Sequence, residues 1–276
     1  MTLRPDFVFS QGSLQDYADC PRRFQLRYLL RVAWPALEAE PAAEAERELE
    51  LGEAFHRLAH QAAVGIPAEV LLARLGDGDL AELWRAYLQS PLVNLPARRY
   101  PEIALAAGLA GYRLIAQFDL VAVEPGQHAI VVDWKTGRAC PQRRTLAQRM
   151  QTRVYPYILV RAGAELNDGR SLAPAQVEMI YWYARWPEQP ELFVYSVQQF
   201  EADEAHLGAL IARIAQAAAD DDFPLTEHVE RCQFCRYRSL CARGVGAGDL
   251  EALDEAPAGE EAAEAFDFDQ IAEIAF

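Results

Sequence analysis

Two apolar runs each carry a single acid, and this constrains the chain more than any other feature. Leu114–Val123 reads LIAQFDLVAV and Ala129–Gly137 reads AIVVDWKTG, so Asp119 and Asp133 interrupt segments that otherwise belong inside a protein. Carboxylates on adjacent buried strands repel unless something positive sits between them. A divalent cation with oxygen ligands, Mg²⁺ or Mn²⁺, answers that need. Lys135 lies two residues beyond Asp133 and so projects from the same face of a strand. An Asp-x-Lys pair can set a metal ligand and a cation around one scissile phosphate. Glu102, upstream of both, extends the acidic set. The cation is also unusual for this chain, because Lys135 is its only lysine beside 25 arginines. Lysine is the compact charge that can lose its proton when partly buried, which arginine cannot.

The periodicities place these residues in an α/β framework. Ser10 to Leu30 reads as a helix with a capping start, interrupted near Cys20–Pro21. Glu44–Val64 is an Ala/Glu-rich helix with Leu51, Phe55, Leu58, Ala59 and Ala62 on one face, after a loop from Pro35 to Pro41. Pro67–Leu88 is helical with a break at Gly76–Gly78. The period then shifts to strands at 103–105, 112–123 and 129–134, with a turn at Glu124–Gln127 between the last two. A helix is expected over 143–160, bent or delayed by Pro156. Strands at 177–184 and 192–197 and a helix at 201–219 complete the pattern. A mixed central sheet flanked by helices is the expected architecture, an antiparallel meander coming first.

The cysteines form a second constellation. Cys232-x2-Cys235-x5-Cys241 brings three thiols into ten residues, one short of the four that a zinc site or an iron–sulfur cluster needs. Cys20 and Cys140 are the candidates for the fourth. An odd count of five, with no apolar leader in MTLRPDFVFSQGS, argues against a secreted disulfide framework and for a cytoplasmic protein. No apolar run reaches the roughly 18 residues of a membrane span.

The net charge of −15 does not exclude a nucleic-acid partner, because it is concentrated. Residues 245–276 hold ten acids and no base, and Glu38–Glu53 holds seven glutamates against Arg47, so the remainder is near neutral. Arg22–Arg31 and Arg138–Arg153 are candidate basic patches.

The motifs together resemble the PD-(D/E)XK nuclease superfamily, and within it the RecB-like branch with a split-cysteine iron–sulfur cluster. That branch includes the CRISPR-adaptation exonucleases and AddB-type nuclease domains. VVDWKTG with Asp119 upstream looks like its core, and His56 in LGEAFHRLAH falls at its helical metal-binding histidine. Gln151 and Tyr155 in QTRVYPYIL match its Gln-x-x-x-Tyr element, one helical turn apart. CPRRFQLRYLL and CQFCRYRSLC match its cysteines. The glycine common before the first acid is absent, Ala116–Gln117–Phe118 standing there. The resemblance implies a restriction-endonuclease-like core over residues 1–243. It also implies a metal held by His56, Asp119, Asp133 and the Trp134 carbonyl, with Lys135, Glu102, Gln151 and Tyr155 completing the catalytic site. Cys20, Cys232, Cys235 and Cys241 would hold a 4Fe–4S cluster, zinc being the alternative, while Cys140 stays a free thiol. His60, one turn after His56, is the residue most easily confused with it. The implied activity is hydrolysis of DNA, single-stranded or with single-stranded ends, by an exonuclease of DNA processing, repair or CRISPR adaptation. The alternative is a catalytically silent DNA-binding or scaffold subunit of a larger complex. Residues 244–276 lie beyond the resemblance and read as a flexible acidic tail. Its end, FDFDQIAEIAF, is similar to the acidic, Phe-terminated tips of bacterial single-strand-binding proteins. Such a tip would dock on a protein partner or fold over the chain's own DNA groove.

Overall fold

The computed structural model describes residues 2–32 and 42–246; the expected loop at 35–41 and the acidic tail from 247 onward lie outside them. The chain opens with β1 (Val8–Ser10), α1 (Gln11–Asp19) and α2 (Pro21–Phe24), which runs on as a π-helical turn to Leu29. The Ser10 and Ser13 side chains each take the other's backbone N–H, a reciprocal cap that starts α1 where the sequence pattern begins. Three helices follow on one side, α3 (Ala42–Ala63), α4 (Ala68–Leu72) and α5 (Asp79–Gln89). Then come β2 (Arg98–Leu109), β3 (Tyr112–Glu124) and β4 (His128–Lys135), an antiparallel meander as expected. Helices α6 (Arg143–Gln148) and α7 (Met150–Ala162) carry the chain to β5 (Val177–Tyr183), parallel to β4. Strand β6 (Glu191–Val194) and helix α8 (Val197–Asp220) follow, with two 3₁₀ turns at Val229–Phe234 and Arg238–Cys241.

The six strands make one mixed sheet flanked by helices. Strand β2 pairs with β3 along almost its whole length, so β1 and β4 must share the other edge of β3. β1 runs parallel to residues 113–115, and β4 pairs antiparallel with residues 120–124. The edge of β3 between them is a fork, and Asp119 stands at it.

Each face of the sheet has its own core. Leu14 and Phe24 with Val154, Ile158, Leu207 and Ile211 cover Val121, Val131, Met179 and Tyr181. Phe55, Leu71, Trp84 and Tyr87 cover Leu120, Val132, Trp134 and Trp182 on the other face. Strand alternation therefore continues the Ala129–Val131 row into Asp133 and Lys135, on the α7 side, and sends Trp134 to the α3 side.

Four local expectations are corrected. The strand expected at 103–105 is β2, twelve residues long. The helix expected at 143–160 breaks at Arg149 and not at Pro156, because the Met150 N–H is taken by the Gln15 side chain and a new helix starts there. Residues 195–197 are not strand: the Ser196 hydroxyl accepts the Gln199 N–H and begins α8 four residues early. The basic runs are in part neutralised by acids folded against them. Arg23 and Arg27 bind Asp16 at 2.9 and 3.0 Å, Arg138 binds Glu48 at 2.9 Å, Arg143 binds Glu191 at 2.8 Å and Arg153 binds Asp203 at 2.6 Å.

Candidate active site

At the β3 fork the ladder gives way to side chains. The last β3–β4 pair is Leu120 with Val132, and beyond it the Asp119 carboxylate accepts the Trp134 N–H at 2.9 Å. Opposite Asp119 on β2, Glu102 has φ +51°, a left-handed conformation uncommon for a residue with a side chain. Both strands change face there. Ile103 and Leu105 pack on the α7 side as does Tyr100, and so do Leu114, Ala116 and Phe118 below the kink and Val121 and Val123 above it. Backbone strain of this kind is kept where the surroundings over-determine it, often at functional sites. Gln117 donates to Glu102 at 3.2 Å.

Helix α3 brings His56 over the fork. One ligand atom each of His56, Glu102 and Asp119 lies within 4.8 Å of the others, the only such trio found among the described residues. The His56 Nδ1 stands 3.6 Å from Asp119 Oδ1, and the ring also bonds the Trp134 backbone. Burial, helped by the Lys135 charge, holds His56 below its ordinary pKa against the pull of Asp133 and Glu102, so its nitrogen is free of a proton near neutrality. Two carboxylates and one neutral imidazole form a donor set suited to Mg²⁺ or Mn²⁺, so the residues fit the ion their chemistry implies. His60 is not part of this group.

Asp133 and Lys135 adjoin the trio from β4. Lys135 Nζ lies 2.8 Å from Asp133 Oδ2, and Gln151 Nε2 donates to Asp133 Oδ1 at 2.6 Å. Asp133 is 1% exposed, so both of its oxygens are oriented by these neighbours and not by water. Tyr155, one turn after Gln151 and bonded to it, is buried against Phe118. Burial first, then Asp133 and Asp119, push its hydroxyl well above the ordinary tyrosine range, so it stays protonated. Tyr181 packs below and is likewise raised by burial and Asp133.

Sequence reasoning missed how α3 is held. Glu48 receives Arg138 at 2.9 Å and Arg185 at 2.8 Å, and a Cβ on Gly52 would stand 3.0 Å from Thr136 Oγ1. Glu48, Gly52 and His56 are spaced by four, which a helical stripe reading could have found.

The second constellation also converges. Cys20, in the break between α1 and α2, Cys232 and Cys241 on the 3₁₀ turns, and Cys235 between those turns line one cavity with Arg23, Arg231 and Tyr237. All are free thiols. Burial and the proximity of Cys20 and Cys232 raise Cys241 above its ordinary value. Four soft sulfur donors from segments 212 residues apart fit a thiolate-bound metal group. Cys140 packs instead against the main core.

A profile described as PD-(D/E)XK nuclease superfamily matches residues 8–242. Among solved structures, the Eubacterium rectale protein named "Putative exonuclease" is similar at TM-score 0.51 and 10% identity, over 90% of this chain and 92% of that one. The structure named SSO0001 aligns at TM-score 0.40 and 14% identity, over 87% of this chain and 88% of that one. No curated protein matches the chain. No helix among the described residues is long and apolar enough to cross a membrane.

Proposed function

The chain belongs to the PD-(D/E)XK nuclease superfamily, and on that premise we propose that it is a metal-dependent deoxyribonuclease of the RecB-like branch, acting as an exonuclease. The observation that carries this reading is the meeting of His56, Glu102 and Asp119 within 4.8 Å of one another, beside an Asp133–Lys135 pair at 2.8 Å. A Mg²⁺ or Mn²⁺ ion held by His56, Asp119, Glu102 and Asp133 with the Trp134 carbonyl would supply Lewis-acid stabilisation of charge on the phosphodiester.

The chain's own residues do the rest. Lys135 is fixed by Asp133 as a compact cation at the strand end, where it orients the attacking water and offsets charge growing on the phosphoryl oxygens. Gln151 holds the other oxygen of Asp133, so the carboxylate cannot rotate away from Lys135. Tyr155 stays protonated and keeps Gln151 in place through their hydrogen bond. His56 remains neutral and presents a lone pair. Cys20, Cys232, Cys235 and Cys241, which line one cavity, would hold a 4Fe–4S cluster, and such a cluster would brace the N-terminal helices against the C-terminal turns by closing a long loop of chain. DNA, single-stranded or with single-stranded ends, is the substrate, and the setting is cytoplasmic DNA processing.

The test is a cleavage assay with Mg²⁺ or Mn²⁺ on linear and circular DNA, single- and double-stranded, with Lys135→Met as control. Cleavage of linear forms alone, lowered at least about 100-fold in the variant, is expected. Binding without cleavage, or equal cleavage by the variant, overturns the reading and leaves a silent DNA-binding scaffold.

A further inference from the structure

The cysteine cavity and the catalytic carboxylate are joined by one side chain that the site chemistry does not itself use. Gln15 lies half-buried on α1, one turn before Asp19. Its Nε2 donates to Asp19 Oδ1 at 3.0 Å, and its Oε1 accepts the Met150 N–H at 2.9 Å. Met150 is the first residue of α7, whose N-cap Arg149 provides no side-chain cap. The leading N–H groups of a helix have no partners within it, so Gln15 caps α7 from another helix, 135 residues away. The next residue is Gln151, which holds Asp133 at 2.6 Å.

The other end of the same amide reaches the cysteines. Asp19 precedes Cys20 and is 3% exposed. It takes Arg23 at 2.7 Å and Arg231 at 2.9 Å, and Arg231 precedes Cys232. Arg23 and Arg231 line the cavity with all four thiols. A continuous set of hydrogen bonds thus runs from Arg231 through Asp19, Gln15 and the first turn of α7 to Asp133 and Lys135. The chemistry allows only one orientation of the amide: a carboxylate flanked by two arginines accepts, and a backbone N–H donates. Glutamate would face Asp19 with a second charge, methionine would satisfy neither partner, and asparagine is a methylene short.

We propose that Gln15 is a positioning residue that registers the first turn of α7, and so the Gln151–Asp133–Lys135 contacts, against the Asp19–Arg231 group at the cysteine cavity. The state of that cavity is then felt at the catalytic carboxylate through Gln15. The catalytic consequence rests on the nuclease reading; the mechanical coupling does not.

The experiment therefore has two arms on the full chain. In the first, amide hydrogen exchange of Met150–Thr152 is measured without added divalent metal for wild type, Gln15→Met, Arg231→Met and the double variant. Each single change should speed exchange there about tenfold, the value of one lost hydrogen bond, while the rest of α7 is unmoved. The double variant should exchange no faster than Gln15→Met alone, because the path is already cut. Unchanged exchange in Gln15→Met, or additive effects in the double variant, overturns the coupling whether or not the protein cleaves DNA. In the second arm, Gln15→Met should lower kcat about tenfold with KM within twofold, since no DNA contact is removed. A protein that cleaves with unchanged kcat, or with the loss in KM alone, overturns the positioning role. Wild-type inactivity overturns the nuclease reading, and the first arm then decides the coupling by itself.

Discussion

Replacing Gly52 by alanine should make the protein more stable and less active, and the two effects have separate sources. Gly52 lies inside α3, where glycine is about 1 kcal/mol worse than alanine because its backbone loses more freedom on helix formation. The new Cβ would meet Thr136 Oγ1 at 3.0 Å, whereas ordinary contact begins near 3.4 Å, so about 0.4 Å must be found. Thr136 is β-branched, and its χ1 has few alternatives. Part of the relief must then come from α3 moving off the segment after Lys135. His56 is one turn further along the same stripe and moves with it. If a 1 Å misplacement costs about 100-fold in rate, 0.4 Å costs about sixfold. Thermal unfolding of Gly52→Ala should rise by at most about 2–4 °C, the close contact taking back part of the gain, with kcat for DNA cleavage down about five- to tenfold. Adding Thr136→Ala removes the contact and should restore kcat while the added stability stays. A stabilised Gly52→Ala with wild-type kcat would show that α3 is not set by this contact, and an unrescued double variant would place the loss elsewhere.

Other outcomes follow from single groups. Arg153→Met leaves Asp203, fully buried, with Tyr195 and Gln199 but no cation, and should cost about 3 kcal/mol at pH 7 by denaturant unfolding. Burial already holds Asp203 above its ordinary pKa, and losing Arg153 raises it further. A raised carboxyl favours the fold below its unfolded pKa and loses that contribution as pH rises through the folded value, so the penalty should shrink on acidification; a pH-independent penalty refutes this. His56 is held low, so the metal-free protein should lose stability as pH falls below about 6.5, where the unfolded histidine takes up a proton first. His56→Gln should flatten that part of the stability curve, and an unchanged slope counts against a buried neutral ring. Anaerobically purified protein should be brown, and Cys20→Ala should bleach it while Cys140→Ala does not; a colourless preparation with one zinc per chain assigns the cavity to zinc.

The parts of the fold legible in the sequence are those whose signal is local. LIAQFDLVAV and AIVVDWKTG announce buried strands, and an aspartate in each announces that something compensates it. The break at Cys20–Pro21 and the Gly76–Gly78 interruption are equally local, and both occur. Strand β1 was not legible, because Val8–Phe9–Ser10 is too short for any period and exists only by pairing with Arg113–Ile115. The break at Arg149 was invisible for the same reason: its cause is Gln15, far away in sequence. Glu102 could be named as an acid but not as the left-handed hinge at which β2 and β3 turn over, since nothing in a glutamate signals positive φ. The arginine runs are less basic than they read because charge counted along the chain ignores acids folded against it, as Asp16, Glu48 and Asp203 are.

How α3 comes to lie where His56 is needed can be argued from repeat distances alone. Four helical residues advance about 6 Å, and two strand residues advance about 6.6 Å. A helix running antiparallel to the end of a strand can therefore repeat the same contact every four residues against every second residue of its neighbour. His56 meets Trp134 on β4, and past the strand's end Gly52 meets Thr136 and Glu48 meets Arg138, which is that spacing twice over. The chemistries differ along the row: a ring against a carbonyl, a missing side chain against a hydroxyl, a carboxylate against a guanidinium. The ionic end fixes the helix along its axis, and Arg185 reaches the same carboxylate from the end of β5. Glycine in the middle sets the distance. His56 is thus placed by two residues outside its trio with Glu102 and Asp119, and an acidic helix that looks like a solvated face in sequence is the part that measures out the candidate site.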